Sequence, residues 1–133
     1  MQINGQCHCG AIAYEATVDP AKATVCHCGD CQSFSGAPFR ASVPAKADDF
    51  RILKGQPRDY VKTAESGTRR AQGFCGDCGS SLYSTTDGDR RVYNLRLGAI
   101  QQRGQLPAQR QIWCESALDW AQNISTLPGV PKG

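Results

Sequence analysis

No stretch of this chain approaches the ~18 consecutive apolar residues that a bilayer-crossing helix needs, so no membrane span is expected. The start, Met1-Gln2-Ile3-Asn4-Gly5, has no basic region followed by an apolar stretch, so no secretory leader is expected and the predicted location is cytoplasmic. Charge is also scarce: 15 Lys and Arg against 12 Asp and Glu leave a net +3. The densest basic spots are Arg69-Arg70 and Arg90-Arg91, two isolated pairs that read as a solvated face and not as a nucleic-acid footprint. No window carries the i, i+3, i+4 apolar stripe of a long helix, and there is no repeat, low-complexity tract or linker. With 133 residues the chain is expected to form one domain over 1–133, burying roughly two-thirds of its unfolded surface. Its tail, from about residue 121, is expected to be irregular.

Cysteine is what the chain has in excess. Seven of its eight cysteines fall into three tight clusters: Cys7-His8-Cys9, Cys26-His27-Cys28-Gly29-Asp30-Cys31 and Cys75-Gly76-Asp77-Cys78. A disulfide framework belongs to short secreted chains, whereas closely spaced reduced thiols bind metal. Two, three and two thiols make seven, which is a four-coordinate site plus a three-coordinate one. Zinc uses four protein ligands to close a structural site and three to leave a position open for chemistry. Binding of a structural zinc contributes about 10–16 kcal/mol in small domains, a useful supplement to a chain of only 40% hydrophobic residues.

The rest of the chain reads as short strands. Ala11–Val18 alternates until Asp19-Pro20, and Ala23–His27 is a short candidate. Phe39–Val43 alternates until Pro44, and Phe50–Lys54 stops at Gly55. Arg58–Lys62, Gly73–Cys75, Ser81–Thr85, Arg91–Leu97 and Gln111–Cys114 complete the set. Asp87-Gly88-Asp89 reads as a hairpin turn. One or two helical turns are expected after Cys28. The predicted class is all-β.

Backbone geometry sharpens the clusters. Residues i and i+2 of an extended segment share a face, so Cys7 and Cys9 can bind one metal while His8 points away; Cys26, Cys28 and His27 follow the same rule. Both histidines are therefore read as non-ligands. Glycine in each C-G-D-C lets the chain turn tightly enough for its two sulfurs to converge. Cys26, Cys28 and Cys31 lie within six residues and can form an open site alone. Cys7, Cys9, Cys75 and Cys78 would then close a second one across a long loop. Spacing leaves open an alternative in which two clusters share one metal and the third is spare.

Several motifs in order make the chain familiar: Cys7-His8-Cys9-Gly10, Cys26-His27-Cys28-Gly29-Asp30-Cys31, Ser35-Gly36-Ala37-Pro38-Phe39-Arg40, and Phe74-Cys75-Gly76-Asp77-Cys78-Gly79-Ser80 with Leu82-Tyr83. From about residue 2 to Trp120 it resembles the glutathione-dependent formaldehyde-activating enzyme family, which includes the domain of centromere protein V. The resemblance implies a zinc-containing β-tent of small antiparallel sheets. It also implies Cys7, Cys9, Cys75 and Cys78 as structural zinc ligands, and Cys26, Cys28 and Cys31 as catalytic ones. Two zinc ions and glutathione as co-substrate are the implied cofactors, with a small thiol and an aldehyde as partners. The sequence departs from the family at Gln111, where members often carry histidine in a short strand. Glutamine cannot titrate, so a different substrate or proton route is open.

A thiol entering an open metal position loses its proton readily, and its thiolate can add to formaldehyde to give S-(hydroxymethyl)glutathione. Alternatively, the metal polarises the aldehyde oxygen. Glutathione needs donors for two carboxylates. Ser33, Ser35 and Gly36 follow the cluster and offer hydroxyls and amides, and Arg40 and Arg69 offer guanidinium forks. Cys114 is expected to be a small buried apolar residue, and Trp113 and Trp120 core or pocket wall. Two alternatives stand beside the formaldehyde reaction: a carbon–sulfur lyase acting on another thiol adduct, and a non-catalytic zinc module that binds a protein.

Overall fold

Alternating side chains organise the chain into ten strands and one short helix in the computed structural model, which describes residues 1–133. A three-stranded sheet is formed by β1 (Gln2–Gln6), β2 (Ala13–Thr17) and β5 (Phe50–Lys54), in the order β1-β2-β5. The seven-stranded sheet comprises β3 (Thr24–Cys26), β4 (Arg40–Lys46), β6 (Arg58–Thr63), β7 (Arg69–Phe74), β8 (Ser81–Thr86), β9 (Asp89–Arg96) and β10 (Arg110–Ile112). Its order is β10-β3-β4-β9-β8-β7-β6. Every pairing is antiparallel except that of β10 with β3. The class is all-β, as read from the strand patterns. No helix is long and apolar enough to cross a membrane.

The core lies where the two sheets face each other. Ile3, Tyr14 and Ala16 from the small sheet meet Val43, Ala45, Leu82 and Leu95 from the large one, with Ile100 and Leu106 closing the side. Each fully buried large side chain stabilises the fold by about 1.5–3 kcal/mol through water exclusion. Phe50 joins three tyrosines at centroid distances of 5.4 Å (Tyr14), 4.7 Å (Tyr93) and 6.0 Å (Tyr83), tilted or edge-on as ring quadrupoles prefer.

Strand β1 has no counterpart in the sequence reading. Ile3 is its only large apolar residue, and Gly5, its second buried position, reads as a strand breaker. Gly5 pairs with Tyr14, whose ring lies where a Cβ would stand, 1.9 Å from its nearest atom. The same device recurs in the large sheet, where Tyr83 covers Gly73 at 2.2 Å. In both places glycine is required because an aromatic ring crosses the backbone.

Two boundaries also differ from expectation. Strand β4 runs through Pro44 instead of stopping before it. Its last pair with β3 is Ser42–Thr24, so beyond that point one side of the strand is free and a residue without an amide hydrogen is tolerated. The tail is irregular only from Leu127, since Asp119–Thr126 coils into 3-10 turns. Beyond these, the hairpin between β8 and β9 turns on Asp87-Gly88, with Gly88 at φ +81°. Helix α1 (Gly29–Ser35) is the short helix expected after Cys28; the Cys28 sulfur caps it by accepting from the Cys31 amide, and Gly36 ends it at φ +62°. The fold thereby brings the β1–β2 loop against the β7–β8 loop, and sets α1 at the end of β3.

Candidate metal centres and the adjoining cavity

The sulfurs of Cys7, Cys9, Cys75 and Cys78 all lie within 4.8 Å of one another, as do those of Cys26, Cys28 and Cys31. The tertiary structure thus groups the seven clustered thiols as four and three. In the first group Cys7 and Cys9 are 3.7 Å apart, and Cys9 and Cys75 3.8 Å. A tetrahedral metal at about 2.3 Å from each sulfur requires edges of about 3.8 Å. These two edges match that geometry, and the cage is of a size to hold zinc.

Local hydrogen bonds fold both loops into knuckles. The Ile12 amide donates to Cys7 Sγ at 3.2 Å, and the Gly79 amide to the Cys75 carbonyl at 2.8 Å. Ser80 ties the two loops together. Its hydroxyl accepts from the His8 amide at 3.0 Å and lies within hydrogen-bond distance of Cys78 Sγ, at 3.2 Å. That hydroxyl and the Ser80 amide lower Cys78 to about 5. Cys9 is raised to about 12, because lost hydration and three neighbouring thiols outweigh the favourable Ala11 amide. Sulfurs this close cannot all be thiolates without a cation among them, and the donor set is one that suits a metal.

The three-cysteine group shows the same conflict. Burial, then Cys31 and Cys28, push Cys26 up to about 12. Cys28 is lowered: burial opposes this, but the Cys31 amide at 3.3 Å and the neighbouring thiols favour its thiolate. Cys26 and Cys31 face a cavity of about 490 Å³, whereas no fourth cysteine, histidine or carboxylate completes their set. His27, between Cys26 and Cys28, lies outside the three-cysteine group and is buried. Its Nε2 meets Gln111 Oε1 at 2.8 Å and its ring packs edge-on against Phe39 at 5.8 Å. His8 is exposed and outside the four-cysteine cage.

The other predicted site residues separate. Arg40 lines the cavity beside Cys26 and also a second one of about 550 Å³, which Ser35 helps to line. The Ser35 hydroxyl is already engaged with the α1 exit, accepting from the Ala37 amide at 3.2 Å. Ser33 and Gly36 are exposed and line neither cavity. Arg69 is remote, at the start of β7, and its Nε donates to Asp87 at 3.2 Å. Cys114 is exposed, not buried, because the chain leaves β10 through a left-handed Trp113 (φ +56°) and turns outward. Trp113 and Trp120 are 57% and 60% exposed, so neither belongs to the core.

Sequence reasoning missed Arg96, Lys22 and Arg110, which line the first cavity with Arg40. Arg96 is only 6% exposed, and burial followed by the nearby Arg40 charge lowers it to about 9. Strand alternation puts Arg96 opposite Leu95, on what reads as a solvent face. Its burial shows that this face is covered.

Small β-sheets carrying two separate thiol clusters, one a closed cage and one opening on a cavity, define a cysteine-cluster protein able to hold metal at two centres. The chain belongs to the glutathione-dependent formaldehyde-activating enzyme family, whose model matches residues 2–116. It is 24% identical over 96 residues to an uncharacterized lyase of Schizosaccharomyces pombe, a match that covers 69% of this chain and 64% of that protein. The chain thus spans less than two-thirds of this relative. A Rhodobacter sphaeroides protein of known crystal structure shares the fold, with a TM-score of 0.63 and 20% identity over 81% of this chain and 98% of that one.

Proposed function

We propose that the protein is a zinc-dependent carbon–sulfur lyase and synthase joining glutathione and formaldehyde. The thiol sulfur bonds to the carbonyl carbon and the thiol proton ends on the former carbonyl oxygen, giving S-(hydroxymethyl)glutathione; the reverse breaks the same carbon–sulfur bond. One observation carries the reading: in a chain of this family, Cys26, Cys28 and Cys31 converge at the wall of a cavity with no fourth ligand.

In this reading Cys7, Cys9, Cys75 and Cys78 hold a structural zinc and Cys26, Cys28 and Cys31 a catalytic one. When bound, the second ion supplies an open coordination position and a positive charge that favours thiolate over thiol. The chain's own residues orient that position. The Cys31 amide fixes Cys28 Sγ, α1 fixes Cys31 relative to Cys28, and β3 aims Cys26 at the cavity. Arg40 and Arg96 lie in the cavity wall beside the sulfurs and favour an anionic ligand.

The test is turnover of glutathione with formaldehyde by zinc-replete protein, compared with zinc-stripped protein and corrected for the spontaneous adduct. A rate above background that vanishes on stripping and returns with zinc supports the reading; no rate above background rejects it. A lyase acting on a different thiol adduct is favoured by one observation, the non-titrating Gln111 on His27. It predicts turnover of other hemithioacetals in the same assay.

A further inference from the structure

The cavity beside Cys26 and Cys31 contains four cationic side chains, Lys22, Arg40, Arg96 and Arg110, and no aspartate or glutamate. Lys22 and Arg110 stand at the exposed mouth, whereas Arg96 is almost wholly buried. Neutral oxygens alone hold the inner pair. Arg96 donates to Ser42 Oγ at 2.6 Å and to Gln72 Oε1 at 3.3 Å, and Arg40 donates to the same Gln72 oxygen at 3.0 Å. The Nε atoms of both guanidiniums are buried without any partner. A third cation, Arg70, stands close by, donating to the Thr86 and Ser84 hydroxyls at 2.7 and 3.2 Å.

This arrangement is unlike the rest of the molecule. Its ion pairs use Arg51, Lys62, Arg69, Arg90 and Arg91, and none involves Arg40, Arg70 or Arg96. Arg58, Arg103 and Arg110 are also without a carboxylate, but they are exposed and water can solvate them, whereas Arg96 is almost wholly buried. Burying guanidiniums together with no anion is strongly unfavourable, through both desolvation and mutual repulsion. The anions within reach are the cavity thiolates. Three thiolates on a divalent metal would have a formal charge of −1, which offsets one guanidinium and leaves the others without a counterion.

We infer that Arg96 and Arg40 form a carboxylate-binding subsite, so that the thiol handled at Cys26, Cys28 and Cys31 must carry a carboxylate. The inference rests on the proposed reading that a thiol enters at this cluster. A guanidinium fork matches a carboxylate through two parallel hydrogen bonds, and both side chains line the cavity. Gln72 contributes by holding both arginines with one oxygen, which limits their rotamers and presets the spacing of their free donors. Lys22 and Arg110 at the mouth attract acidic ligands in a manner that salt weakens.

Metal-replete, reduced protein is titrated calorimetrically with glutathione, with glutathione diethyl ester and with cysteamine. All three carry the thiol, but only glutathione has free carboxylates. Glutathione is expected to bind at least tenfold more tightly than either of the others. Arg96→Gln should lose at least tenfold more affinity for glutathione than for the diester, so that discrimination collapses. Wild-type protein binding glutathione and the diester alike, or failing to bind glutathione, overturns the inference, as does a folded Arg96→Gln that still discriminates. Should Arg96→Gln not fold, the ester comparison on the wild type decides, with Arg40→Gln as the second variant. Turnover without discrimination would remove the subsite and keep the proposed reaction. Discrimination that depends on Arg96, without formaldehyde turnover, would keep the subsite and remove the reaction.

Discussion

The imidazole Nε2 of His27 lies 2.8 Å from the side-chain oxygen of Gln111, joining the end of β3 to the parallel strand β10. Because the amide oxygen only accepts, Nε2–H donates to it, and Nδ1 is buried without a partner. The His27 amide reinforces the junction by donating to the Ile112 carbonyl at 3.1 Å. The histidine between Cys26 and Cys28 therefore fastens the outermost strand of the large sheet and lies outside the three-cysteine group.

Gln111→Ala removes that acceptor and leaves buried Nε2–H without its partner. An unsatisfied buried donor costs about 1–3 kcal/mol, with water at the exposed Gln111 position recovering part of it. Urea unfolding should show a loss of about 1–2 kcal/mol, with metal content unchanged. A loss of metal from the variant would mean that the His27–Gln111 contact also supports the three-cysteine group.

Metal analysis of protein made under reducing conditions should give two zinc ions per chain, one for each of the separate four- and three-sulfur groups that could hold a metal. One equivalent after purification is compatible with loss from the more open site, so the measurement is repeated after adding zinc and desalting. A value that stays at one contradicts the two-centre reading.

Removing ligands from the two centres should have unequal consequences. Cys75 is 1% exposed and its cage links the β1–β2 loop to the β7–β8 loop, so Cys75→Ser releases a long-range crosslink. Losing a structural zinc removes several kcal/mol from a domain whose whole stability is about 5–15 kcal/mol. Cys75→Ser should be largely insoluble or unfolded. Cys31→Ser touches a cluster confined to one short segment, so it should stay folded, melt slightly earlier and lose turnover. Circular dichroism melts and the glutathione assay decide; the opposite pattern would exchange the roles of the two centres.

Tyr14 provides a pH test. Burial pushes its phenol well above the ordinary value near 10, against the opposing Arg96 charge. Its hydroxyl has no hydrogen-bond partner. A raised native pKa means stability that is complete below the unfolded value, about pH 10, and lost as pH rises above it, at about 1.4 kcal/mol per pH unit. Tyr14→Phe should be as stable as the wild type or more so at pH 7, since it deletes an unsatisfied polar atom. Above pH 10 its advantage should grow. Paired denaturant titrations at pH 8 and pH 11 measure the difference, in which the titrations of other groups cancel; an advantage that does not increase would count against a buried phenol.

The parts of this protein legible in its sequence are those governed by contacts over two to four residues. C-x-C and C-x-x-C spacings bring sulfurs together whatever surrounds them, and Asp87-Gly88 turns the chain whatever it connects. Phe50–Lys54 matches its strand end to end, because alternation and a following Gly55 at φ +75° are local facts. What covers a face is decided elsewhere in the chain. Strand β1 exists because Tyr14 lies across Gly5, and Pro44 is accommodated because β3 ends opposite Ser42. Cys114 and both tryptophans are exposed because Trp113 adopts a left-handed turn that directs the chain outward. The pairing of Cys7 and Cys9 with Cys75 and Cys78, and the burial of Arg96 beside Cys26 and Cys31, arise only when strands distant in sequence come together. Spacing along a chain specifies which donors can share one metal, but the surroundings that exclude water and impose charge on a site come from long-range packing.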